Sequence, residues 1–166
     1  MKLNIGDIFT IPIDEARVGI GQIINKPNKD SLIIVVYDVI LNKDLLPPLN
    51  ELCKNNILLL GHTLDAKLYH KHWVIVGNYN RNISTIYLPY YKLGTPPKDI
   101  YIVNYIGDSF RRATISEFNA LNYQSIVSPI RYENAVKAHF NLLDWDNTYN
   151  DLLYSYTLDS INLLKM

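Results

Sequence analysis

Apolar residues come in short runs and alternations through the first two thirds of the chain, and at helical spacing after residue 114. Residues 7–13 form a short apolar run ending in Pro12-Ile13. Proline offers no N–H to a ladder, so Pro12 marks an edge strand or a strand end. In residues 17–26, Val18, Ile20, Gln22 and Ile24 fall on one face of a strand, and Gly19 and Gly21 on the other. Two glycines on one face predict a bulge, or a group packed close against the backbone. A polar turn at 26–30 leads into residues 31–41, a long β-branched run expected to be the central strand, buried on both faces. Pro47-Pro48 break the pattern, and residues 49–54 fit one helical turn or a loop. Further strands are expected at 57–60, 72–77, 86–91 and 100–106, with Gly94-Thr95-Pro96-Pro97 as a loop between the last two.

Helical signals then take over. Thr114-Ile115-Ser116-Glu117 has the capping-box form, followed by Phe118 and Leu121. Ser128-Pro129 is a helix start, after which Ile130, Ala135, Ala138 and Leu142 track one side, widened by Val136 and Phe140. Residues 151–164 repeat apolar positions at helical spacing. Strands first and helices last predict an α+β fold: a mainly antiparallel, strongly curved β-sheet with C-terminal helices packed on it. One domain is expected over residues 1–166, mostly β to 114 and mostly helical from 115, sharing one core.

Composition agrees. Of 166 residues, 48% are hydrophobic and 19% charged, which argues against disorder. The thirteen tyrosines suit half-buried strands and protein interfaces. Cys53 is the only cysteine, so no internal disulfide forms. The opening lacks a basic segment followed by an apolar one, and the longest apolar runs fall far short of the roughly 20 residues of a membrane helix. A soluble, cytoplasmic protein is expected, with no membrane partner. Net charge is zero, and no nucleic-acid motif occurs, so nucleic acid is not expected as a partner. The charge is unevenly spread, at −1 over residues 1–60, +4 over 61–116 and −3 over 117–166.

There is no phosphate-binding loop and no Gly-x-Ser-x-Gly elbow, and Gly19-Ile20-Gly21 is too short for a dinucleotide fingerprint. Cys53 reads as a small residue in a short helix. His70 and His72 would share a strand face, a spacing that can ligate zinc, but no HExxH or cysteine-rich pattern accompanies them. A polar strand entry beside Trp73 fits them better. Residues 144–151 open like a calcium loop, with Asp144, Asp146 and Thr148 at alternate positions. Tyr149 then stands where a glycine is needed, and Ser155 where a bidentate glutamate is needed. No metal and no cofactor are expected. What remains is an acidic, aromatic connector between two helices. It reads either as a capping loop with Trp145 as a lid on the core, or as an interface patch of Asp144, Trp145, Asp146, Tyr149 and Asp151. Arg111-Arg112 fits a solvated strand end, and Tyr90-Tyr91-Lys92 invites nucleic-acid stacking only weakly.

Gly6-Asp7-Ile8-Phe9-Thr10-Ile11-Pro12-Ile13, followed by Arg17-Val18-Gly19-Ile20-Gly21-Gln22-Ile23, resembles the opening of the immunity protein 26 family of bacterial polymorphic-toxin systems. Ile13 replaces the leucine usual there. Trp73-Val74-Ile75-Val76-Gly77 and Leu88-Pro89 resemble the family's middle. Val136-Lys137-Ala138-His139-Phe140 with Asp144-Trp145-Asp146 is similar to its end. The resemblance implies a cytoplasmic protein that binds and neutralises a cognate toxin domain, and it carries over no catalytic residue. The alternative is a small hydrolase or small-molecule-binding protein with a cleft near His70, His72 and Trp73.

Overall fold

The computed structural model describes residues 1–165. Six strands form the main sheet: β1 (Asp7–Pro12), β2 (Arg17–Asn25), β3 (Ser31–Asn42), β4 (Ile57–Leu64), β5 (Val74–Asn78) and β9 (Ile126–Val127), in the order β5-β1-β2-β3-β4-β9. All pairings are antiparallel except the short β4–β9 pair. A second antiparallel sheet holds β6 (Tyr91–Thr95), β7 (Lys98–Val103) and β8 (Ser109–Arg112). The helices are α1 (Leu49–Leu52), α2 (Ala66–Tyr69), α3 (Ile115–Ala120), α4 (Pro129–His139) and α5 (Tyr154–Lys165). The α+β expectation is borne out, but the strong curvature is not. The β-structure is divided between two open sheets, and neither curls into a closed one.

β3 is the spine. Ser31 to Tyr37 are buried without a break, so the strand feeds both faces of the sheet. Leu32, Ile34 and Val36 join Phe9, Ile11, Ile23, Leu59, Trp73, Tyr132 and Val136 on one face, beneath α4. Ile33, Val35 and Tyr37 join Ile8, Ile20, Leu52 and Leu60 on the other, beneath α1 and residues 79–88. β1 lies between β5 and β2, so it is interior, and Pro12 is tolerated because it ends the strand.

Both readings of the β2 glycines hold. The β2–β3 register shifts between Gly19 and Gly21. Gly21 also lies against the ring of Phe9, which stacks on Trp73 with centroids 5.1 Å apart and planes at 7°. On the opposite face Gln22 is fully buried yet satisfied. It accepts from Tyr37 Oη at 2.6 Å and donates to the Tyr79 carbonyl at 2.6 Å, and Asn82 closes the network.

Some expectations are not met, among them the loop at 94–97, whose Gly94 and Thr95 lie in β6. Residues 86–90 form no strand. Pro89 has no N–H to give, and the neighbouring amides are taken by side chains: Tyr87 N–H donates to Tyr154 Oη and Tyr90 N–H to Ser160 Oγ. His70 and His72 are not on a strand. They flank Lys71, whose φ of 59° places it in the left-handed region, in the turn that closes α2. His72 N–H bonds back to the Lys67 carbonyl and Lys71 N–H to that of Leu68, the Schellman pattern. Finally, Leu142 and Ile130 do not lie on the buried side of α4, which is Tyr132, Glu133, Ala135, Val136 and Ala138.

Candidate partner interface

The connector between α4 and α5 begins where α4 stops. Asn141 has φ 64°, Leu142 N–H reaches the Lys137 carbonyl and Asn141 N–H that of Ala138. This second Schellman closure turns the chain outward. Leu142 and Leu143 are therefore exposed, at 43% and 46%, and residues 141–148 are exposed throughout. Asparagine is the commonest substitute for glycine at such a left-handed position, so Asn141 was the sequence signal for this ending.

The connector is then held in shape from within. Asp146 caps the 3-10 turn Asn147–Leu152, accepting from Thr148 N–H at 2.8 Å and Thr148 Oγ1 at 2.7 Å. Those bonds hold its carboxyl below the usual range, with a smaller contribution from the Arg131 charge. Trp145 donates from Nε1 to Asn150 Oδ1 at 2.9 Å and meets Tyr149 edge-on at 5.3 Å. Tyr149 packs against the core beneath α4. Trp145 is 37% exposed, so it is no lid on the core. The capping role expected for the aspartates belongs to Asp146.

The structure thus brings Trp145, Asp146 and Tyr149 together, with exposed Asp144 adjoining them. Asp151 lies at the far end of the turn, where it accepts from Asn122 Nδ2 at 3.1 Å. Leu142 and Leu143 join the surface unforeseen. The result is a segment in which Leu142, Leu143 and Trp145 are exposed beside the carboxylates of Asp144 and Asp146.

The other candidates are engaged within the molecule. Arg111 makes a two-pronged bond to Glu117, at 2.9 and 2.7 Å. Lys92 Nζ sits over the rings of Phe118 and Tyr123, at 4.6 and 4.9 Å, and Tyr91 is buried. Trp73 is buried, with its indole N–H on Glu133 Oε2 at 3.2 Å, while His70 and His72 are exposed. Among the described residues no group of three His, Cys, Asp or Glu side chains is placed to hold a metal ion. Burial pushes the Cys53 thiol above its ordinary value, against nucleophilic use. No helix among the described residues is long and apolar enough to cross a membrane.

The family model for immunity protein 26 matches residues 4–96. The chain belongs to the immunity protein 26 family. No curated protein and no solved structure gives a match. The immunity protein 26 match spans β1 to β6, which is the main sheet less its two-residue β9 together with the first strand of the second sheet. It includes the Gly6-to-Ile13 and Arg17-to-Ile23 segments and Trp73 to Gly77, so in this chain the family signature is a sheet signature. Its glycines and proline are explained by packing: Gly21 by Phe9, Pro12 by the strand end.

Proposed function

We propose that this immunity protein 26 chain binds and neutralises a cognate bacterial toxin domain by stoichiometric contact in the cytoplasm, without chemistry of its own. Family membership carries this reading. We further propose that Asp144, Trp145, Asp146, Tyr149 and Asp151 contribute to the contact surface, joined by Leu142 and Leu143. Interfaces need a few apolar anchors, supplied here by Trp145 and the two leucines, and charge to steer encounter, supplied by the carboxylates. The connector also lies beyond the matched stretch, and its residues 141–148 are exposed, so a partner-specific surface there can vary without disturbing the main sheet.

The test is co-expression with the toxic domain encoded beside the gene. Growth should be restored, and the two proteins should co-elute as a complex of fixed stoichiometry. Restored growth without a complex would refute stoichiometric binding, and unrestored growth with this partner would refute the pairing.

A further inference from the structure

One histidine does line a cavity, and it is neither His70 nor His72. A cleft of about 420 Å³ opens at one end of the main sheet, between the β2–β3 turn, the turn after β7 and the approach to β9. Ser31 and His62 line it from adjacent strands. Ser31 pairs with Leu64 and His62 with Ile33, so the two are diagonal neighbours on one face. They are only 2% and 1% exposed.

Their hydrogen bonding is incomplete. His62 Nε2 is 2.7 Å from the Tyr105 carbonyl oxygen. A carbonyl only accepts, so Nε2 carries the proton. Burial disfavours the charged ring, and the neutral imidazole then offers Nδ1 as an acceptor. Among the described residues neither His62 Nδ1 nor Ser31 Oγ has a partner. Leaving a buried polar atom unpaired costs about 1–3 kcal/mol, which points to a group that fills the cleft and pairs with both.

The remaining wall narrows the chemistry. The carboxamides of Asn25 and Gln124 line the cleft. Each can donate and accept. No carboxylate among the described residues lines it, which disfavours a cation. Lys26 does, but its ammonium donates to the Leu3 carbonyl at 2.7 Å, and the imidazole lone pair would repel an anion. A hydroxyl can donate to Nδ1 and can both donate to and accept from Ser31 Oγ. The volume lies within the range of small-ligand sites, roughly 300–1,000 Å³. We propose that this cleft binds a small, uncharged, hydroxyl-rich molecule of about monosaccharide size.

Titration of isotope-labelled full-length protein with D-ribose, D-glucose and N-acetyl-D-glucosamine tests this by NMR. At least one should give saturable, millimolar-range shifts confined to the His62 ring, Ser31, Asn25 and Gln124. Ser31→Ala and His62→Gln should each weaken it by about tenfold, the equivalent of one hydrogen bond. Ser31→Ala removes one oxygen at a strand end, so it serves should His62→Gln fail to fold. Absence of saturable shifts with all three sugars would overturn the proposal in favour of trapped water. So would inorganic phosphate binding in their place, or sugar shifts that persist unchanged in Ser31→Ala.

Discussion

Close contacts at single residues decide which substitutions this fold tolerates. A Cβ added at Gly21 would collide with Cε2 and Cζ of Phe9, and Phe9 cannot retreat because Trp73 is stacked behind it. Gly21→Ala should therefore cost about 1–3 kcal/mol, and Gly21→Val more, read as a lower denaturation midpoint. An unchanged midpoint would mean that the ring can move. Lys71 presents the opposite case. A lysine at φ 59° pays for a left-handed conformation that glycine adopts freely, although glycine loses more entropy on folding. Lys71→Gly should stabilise the protein by about 0.5 kcal/mol, and Lys71→Val should destabilise it. The same left-handed residue explains why the His70 and His72 spacing misleads: side chains two apart share a face only on an extended backbone.

Individual elements show where local signals suffice. The α3 start was legible in four letters: Thr114 Oγ1 accepts from Glu117 N–H, and the Glu117 carboxylate accepts from Thr114 N–H. Arg111 adds its two bonds, and together these draw the Glu117 carboxyl down to about 2 from 4.5. A carboxyl whose pKa is lower in the folded state stabilises the fold above its unfolded value and loses that contribution as pH falls through the folded one. Glu117→Gln should thus lower stability by about 1 kcal/mol at neutral pH, the screened value of an exposed cap. The difference from wild type should shrink from pH 4.5 downward and be lost only as pH falls through about 2, in denaturation curves across that range. A gap that stays constant with pH would assign the loss to packing. Residues 86–90 show the limit. Their apolar pattern fits a strand, but strand pairing requires backbone partners, and here Tyr154 and Ser160 occupy the amides instead.

Across the whole molecule, β3 contributes to the apolar clusters on both faces of the main sheet, and we take the chain as one folding unit. Thermal unfolding should then show one transition by both tyrosine fluorescence and far-UV circular dichroism. Two separated transitions would divide the second sheet and its helices from the first. The charge asymmetry also belongs to this scale, with −3 over residues 117–166 and the connector among them. Asp144→Asn/Asp146→Asn should slow association with the cognate toxin by about three- to tenfold at low salt, and the loss should shrink as salt screens the steering. Asparagine can still cap the 3-10 turn, so the double variant should stay folded. Trp145→Ala should instead speed dissociation, at a cost of about 2 kcal/mol if it anchors the contact. Wild-type kinetics in both variants would leave Asp146 as a cap alone and place the partner elsewhere.

The strands-then-helices layout, the central place of β3, the β2 glycine packing and the α3 cap were legible in the sequence, while α2, β8 and β9 were not. Each legible feature rests on interactions within a few residues, or on a hydrophobic pattern that has one solution. Tertiary structure alone decided that β1 is interior, that the strands divide into two open sheets, and that His62 rather than His70 or His72 lines a cavity. It also decided that Trp145 faces outward. Those outcomes depend on which distant groups win a backbone amide, a carbonyl or an apolar face, and that competition leaves no local trace. For the connector, its acids and aromatics were readable, but its exposure was settled by Asn141 turning the chain away from the core.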